Sequence, residues 1–136
     1  MNERKRKGER GSVVMEAALV MPIVILLFAG ILEFGRMLMI QQILTNAARE
    51  GARMGALYMD DSKALAEAGT VAQDYLTRCG INSELISVEP AFSTVNGTQA
   101  VQLKINYDYT STLAGWVPGI DHNLELHSLS IMRREA

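Results

Sequence analysis

From Ala17 to Leu32 the chain runs sixteen residues without a charge, Ala-Ala-Leu-Val-Met-Pro-Ile-Val-Ile-Leu-Leu-Phe-Ala-Gly-Ile-Leu, and Val13, Val14 and Met15 extend the run through Glu16 to about twenty. A helix of that length matches the roughly 30 Å hydrocarbon core of a bilayer, and a membrane span is the state it fits best. A secretory signal would have a shorter apolar run followed by small residues at a cleavage site. Here the run leads instead into Glu33-Phe34-Gly35-Arg36-Met37-Leu38-Met39-Ile40, which keeps helical character, so the segment is expected to be retained as an anchor.

The charges orient that anchor. Residues 1–11 carry Arg4, Lys5, Arg6, Lys7 and Arg10 against Glu3 and Glu9, a net +3, which leaves −5 for residues 12–136 in a chain of net −2. A basic tail directly before an apolar helix holds that end in the cytoplasm. The same placement argues against nucleic acid as a partner, and the remaining residues form an extracytoplasmic body. With 136 residues there is room for one anchor and one small domain.

Two residues disturb the helix. Pro22 removes a backbone hydrogen bond, either as a tolerated kink or as a point of adaptation during packing. Glu16 is an anion near the start of a membrane helix, where it either finds a partner or snorkels to the cytoplasmic boundary one turn away.

Gly11 precedes Ser12-Val13-Val14-Met15-Glu16, so the glutamate stands fifth after the glycine. Cleavage after Gly11 would create an ammonium on Ser12 at the membrane boundary, with Glu16 the nearest anion. That spacing resembles a type IV prepilin. Joined to Ala17-Ala18-Leu19-Val20-Met21-Pro22, to Glu33-Phe34-Gly35-Arg36 and to Asn46-Ala47-Ala48-Arg49-Glu50-Gly51-Ala52-Arg53, it resembles the TadE-like family of the tight-adherence, or Flp-type, pilus system. The resemblance implies a minor pilin or pseudopilin rather than an enzyme. It also implies processing by a prepilin peptidase and residence in the bacterial cytoplasmic (inner) membrane. The implied partners are the lipid bilayer, other minor and major pilins, the peptidase and the inner-membrane assembly platform. Ala17, where the major Flp pilins have Tyr, and a chain much longer than theirs favour the minor class.

Helix is expected to continue to about Tyr58, because the stretch lacks Pro and is rich in Leu, Met, Gln, Ala, Arg and Glu. Glu33 and Arg36, three apart, can form an ion pair at the outer membrane boundary. Ala47, Gly51 and Gly55 make one row at fourfold spacing, and Ala48, Ala52 and Ala56 make the next. Two glycines weaken a helix unless another backbone comes close, either from the chain's own domain or from a neighbouring subunit. Arg49 and Arg53, with Glu50 beside them, either solubilise the exposed face or dock a partner.

The remainder, residues 59–136, reads as a small α+β domain following the leader (1–11) and the membrane helix and stalk (12–58). Asp60-Asp61-Ser62 offers caps for a helix over Lys63–Arg78, with Leu65, Ala68, Ala72, Tyr75, Leu76 and Cys79 on one stripe and Gly80 as its stop. Cys79 is therefore expected to be buried. A strand over Glu84–Glu89 should end before Pro90. An Asn96-Gly97 turn and a strand over Ala100–Tyr109 follow, with Val101, Leu103, Ile105, Tyr107 and Tyr109 alternating. After a loop at Trp116-Val117-Pro118-Gly119, a last strand over Asn123–Arg133 changes apolar phase from Leu124 and Leu126 to Leu129 and Ile131, as a β-bulge would require. An antiparallel sheet of about three strands against the helix results.

Catalytic and cofactor patterns are missing. His122 and His127 lack a third ligand, no metal is expected, and phosphate loops and nucleophile elbows do not occur. Asn96-Gly97-Thr98 is read as a turn rather than a glycosylation site. The competing reading is an unprocessed single-pass membrane protein whose outer domain binds a ligand or scaffolds an envelope complex.

Overall fold

A computed structural model describes residues 3–115 and 123–134, with side chains from Gly11 onward. It contains helices α1 (Glu3–Ala56) and α2 (Asp61–Arg78) and strands β1 (Ile86–Val95), β2 (Thr98–Thr110) and β3 (Asn123–Arg133). The chain divides after Gly35 into two units.

The first unit is helix alone. Its helix starts at Glu3, so the basic leader and Gly11 are helical rather than extended, and it continues through Pro22. Val13, Leu19, Ile23, Leu27, Phe28 and Leu32 are all exposed, on every side of the helix. A helix that is apolar all round is a core or membrane element, and this one has no core around it.

The second unit, from Arg36 onward, is the α+β body. The end of α1 turns back into α2 through Leu57–Asp60, and the two helices lie on one face of the sheet. Asp60 caps α2: its Oδ1 accepts from the backbone N–H groups of Ser62 (2.9 Å) and Lys63 (3.3 Å) and from the Ser62 hydroxyl (2.6 Å). These bonds hold the Asp60 carboxyl below the ordinary carboxylate range: the Ser62 hydroxyl has the largest effect, the Lys63 amide the next, and the Arg134 charge adds to them. A depressed folded-state pKa stabilises the fold at pH values above the unfolded-state value and stops doing so as pH falls through the folded one. Acid unfolding should therefore show a loss of stability below about pH 4 that is smaller in Asp60→Asn, which still caps but does not titrate. Far-UV circular dichroism across pH 2–6 reads the difference.

At the other end of α2, Gly80 adopts φ +77° while its N–H bonds the Thr77 carbonyl (3.0 Å) and the Ile81 N–H bonds that of Leu76 (3.1 Å). This is a Schellman stop, and it needs a residue free to be left-handed. The buried row of α2 is Ala64, Ala68, Ala72 and Leu76. Leu65 and Tyr75 are only half-buried, and Cys79 is exposed, contrary to the sequence expectation. The physical reason is that Cys79 is the C-cap, one turn past the last residue that meets the core.

The sheet has order β1-β2-β3, antiparallel throughout. Asn96 and Gly97, with φ of 53° and 78°, form a two-residue turn whose double positive φ matches the twist of the paired strands. β1 begins after a 3-10 turn at Ser83–Leu85 and runs through Pro90 to Val95, instead of ending before the proline. Val95 pairs with Thr98 at the turn, so alternate residues back from Val95 bond β2 and Pro90 falls among the others. On a free edge its missing N–H costs no ladder bond.

The expected bulge in β3 is also absent. Eleven consecutive pairs from Ala100↔Arg133 to Thr110↔Asn123 leave no residue over. Leu124, Leu126, Ser128, Ser130 and Met132 share the helix-side face, and Leu129 and Ile131 are exposed on the opposite one. Shifting the phase would interrupt the ladder and set an apolar side chain against the Thr45 hydroxyl, which Ser128 meets at 3.4 Å. The core joins Ile40, Leu44, Ala47, Ala48 and Ala52 of α1 to the four α2 residues and to Val101, Leu103, Ile105, Tyr107 and Tyr109 of β2. The loop at Trp116–Gly119 and His122 lie outside the described residues.

Candidate functional site

Among the described residues no group of three His, Cys, Asp or Glu side chains could hold a metal. His127 lies exposed on β3, and its carbonyl accepts from Gln41 Nε2 (2.9 Å). The features that can act on other molecules are the bare helix of the first unit and the packed small-residue face of the second.

On the bare helix, Gly11 and Ser12 are exposed, and a Cβ added at Gly11 would meet nothing within 4 Å. The position is sterically open, and any binding in extended form there would require the helical backbone to unwind locally. Glycine lowers the cost of that unwinding by about 1 kcal/mol relative to alanine. Glu16 is exposed and forms neither an ion pair nor a hydrogen bond among the described residues. An anion surrounded by Val13, Val14, Met15, Leu19 and Val20 has nothing in its own chain to offset desolvation, so a cation from elsewhere would be attracted there.

Glu33 is half-buried and engaged. Arg36 is directed at the far end of β2: its Nη1 donates to Thr112 Oγ1 (3.5 Å) and its guanidinium lies 5.6 Å from the Tyr109 ring centroid.

In the second unit the small rows have become an interface within one chain. Ala47, Ala48, Gly51, Ala52 and Gly55 are buried, while Ala56 is half-buried at the helix end. A Cβ at Gly51 would stand 2.5 Å from the Ala68 carbonyl oxygen and 2.5 Å from Leu103 Cδ2. At Gly55 the corresponding nearest atoms are the Ala64 carbonyl oxygen (2.8 Å) and Ala68 Cβ (2.9 Å). The backbone that approaches these glycines is thus that of α2. On the far side of the helix pair, Asn46, Arg49, Glu50, Val71, Asp74, Tyr75 and Arg78 line an open cleft of about 490 Å³. Arg53 pairs loosely with Glu50 (4.0 Å) and Arg78 tightly with Asp74 (2.6 Å), so most of this charge is locally balanced.

Sequence reasoning passed over Arg134. Its Nη1 donates to Asp61 Oδ1 (2.6 Å) and Gln99 Oε1 (2.8 Å), its Nη2 to the carbonyls of Tyr58 (2.7 Å) and Met59 (2.5 Å), and its backbone N–H to the Gln99 carbonyl (3.1 Å). The guanidinium also lies 5.5 Å from the Phe92 ring centroid. One side chain after β3 therefore ties the sheet to the turn between α1 and α2. Only the run of two arginines marked it, and a terminal arginine in a sequence does not announce four acceptors.

Comparison with known proteins agrees with the helix. The model of the family described as TadE-like protein matches residues 11–53, from Gly11 to Arg53, short of Gly55 and Ala56 at the end of the small-residue face. No curated protein and no solved structure matches the chain. The matched stretch lies within the one candidate membrane-spanning helix among the described residues.

Proposed function

We propose that this chain, TadE-like over residues 11–53, is a minor pilin or pseudopilin of a Flp-type pilus machine, with a structural rather than catalytic role. In this reading the leader stays in the cytoplasm, the helix crosses the inner membrane and the α+β body lies outside. A prepilin peptidase removes the leader after Gly11. The new ammonium of Ser12 on a neighbouring subunit is then the cation for Glu16, and the pair forms where lipid excludes water and makes a lone charge unfavourable.

The observation that carries the reading is the coincidence of an exposed Gly11, an anion five residues on without a partner among the described residues, and a helix apolar on all sides. Each alone is unremarkable for a membrane anchor, but together they match what a laterally packed, processed helix requires. Other pilins and the assembly platform are the partners such a helix would pack against. Intact-mass measurement of protein extracted from membranes should give a chain beginning at Ser12, and Gly11→Val should restore the leader's mass by blocking processing. A full-length wild-type mass would instead favour the unprocessed single-pass protein whose outer domain scaffolds an envelope complex.

A further inference from the structure

We infer that the folded body is seated in the outer headgroup layer of its own membrane through the first helical turn of the second unit, with Leu38 and Met39 in contact with lipid. The inference rests on α1 spanning a bilayer. It moves the outer limit of lipid contact from Glu33 and Arg36 to Met39, less than one turn beyond Arg36.

The exposed side of α1 changes chemistry once. Through Met39 its exposed residues are predominantly apolar, with Leu38 51% and Met39 63% exposed in the second unit itself. From Gln42 the exposed positions are Gln42, Asn46, Arg49 and Arg53, all polar. Ile40 and Leu44, in the same stretch, face the core and do not bear on the question. If water began at Arg36, two adjacent large apolar side chains would be solvated at the foot of a domain whose neighbouring turns are polar outside. If lipid reaches Met39, the switch is explained.

Residue counting agrees. About twenty residues cross the hydrocarbon core. Counted from Ala17, the first residue after Glu16, twenty residues end at Arg36, which places Leu38 and Met39 within the first few ångströms of the headgroup layer. Arg36 suits that layer, because its guanidinium rests on Tyr109 and Thr112 while remaining exposed to headgroup phosphates. Leu124, paired with Tyr109, adds a further exposed apolar side chain on the same face of the sheet. Asp108 and Glu125, paired with each other, are exposed on the opposite face of the sheet. The exposed apolar surface is continuous in sequence with the membrane helix, and lipid is therefore the occupant it fits.

The test uses the full chain in phosphatidylcholine–phosphatidylglycerol vesicles. Cys79 is exposed and is the only cysteine, so Cys79→Ser provides a background for single cysteines at Val24, Leu38, Met39 and Arg49, each carrying an environment-sensitive fluorophore. Lipids spin-labelled near the headgroup should quench Leu38→Cys and Met39→Cys several-fold more than Arg49→Cys, while aqueous iodide shows the reverse order. Quenching at Leu38 and Met39 equal to that at Arg49 would overturn the inference, as would protection from both quenchers, which would mean that protein covers the patch. Val24→Cys, read with lipids spin-labelled deep in the acyl chain, separates the two levels of failure. If it escapes that quencher, the membrane span itself is wrong; if Val24→Cys is quenched there while Leu38→Cys and Met39→Cys escape the headgroup label, the span stands and the seating does not.

Discussion

Gly51→Leu is expected to leave the second unit unable to fold, and Gly51→Ala to destabilise it by about 2–3 kcal/mol in chemical denaturation of the detergent-solubilised chain. The new Cβ would meet the Ala68 carbonyl oxygen and Leu103 Cδ2 at 2.5 Å. Leu103 can rotate, but the carbonyl belongs to the backbone of α2 and can yield only if the two helices separate. Separation would open the seam of Ala64, Ala68 and Ala72, all fully buried. The roughly 1 kcal/mol that alanine adds to helix propensity does not offset this. Gly69→Ala is the internal control: its Cβ would meet only Pro90 Cγ, at 3.8 Å, so the same substitution should stabilise α2 by about 0.5–1 kcal/mol. Opposite signs at Gly51 and Gly69 would separate close packing from propensity, and equal effects would dismiss the packing account.

Arg134→Ala is expected to cost about 2–4 kcal/mol, measured the same way. The side chain is only 10% exposed, and its removal takes the donor from the half-buried Tyr58 carbonyl and the exposed Met59 carbonyl in the turn after α1. Arg134→Lys should recover less than half of the loss, because one ammonium cannot span two carbonyls, a carboxylate and an amide as a planar fork does. Asp61→Asn should cost under about 1 kcal/mol, since that carboxylate is 63% exposed and water screens its pairing. A loss in Asp61→Asn as large as that in Arg134→Ala would assign the effect to the ion pair rather than to the carbonyls.

Local patterns made much of the fold legible. The apolar run from Val13 to Leu32, the cap at Asp60, the stop at Gly80, the Asn96-Gly97 turn and the alternation along β2 each act within a few residues, and each has its expected counterpart. The departures share another origin. Pro90 reads as a strand end unless one knows that its position falls on an unpaired edge. Leu129 and Ile131 read as core until the unbroken ladder to β2 turns them outward. Cys79 joins the apolar stripe of α2 by angle, but it stands past the turn where the helix still has a neighbour.

The candidate site divides in the same way. The placement of Gly11 and Glu16 on one long apolar helix could be read directly, because length, charge and spacing along one helix are properties of consecutive residues. The small face of Ala47, Gly51 and Gly55 was legible as a face, but its occupant, the chain's own α2, was not. Arg134 was not legible at all. By itself the sequence determined that an apolar helix leads into an α+β body, since periodicity and caps are local forces. Only the tertiary structure decided what fills the glycine face, which strand edge tolerates proline and which carbonyls the last arginine serves. Those depend on groups far apart in the chain whose meeting is set by packing.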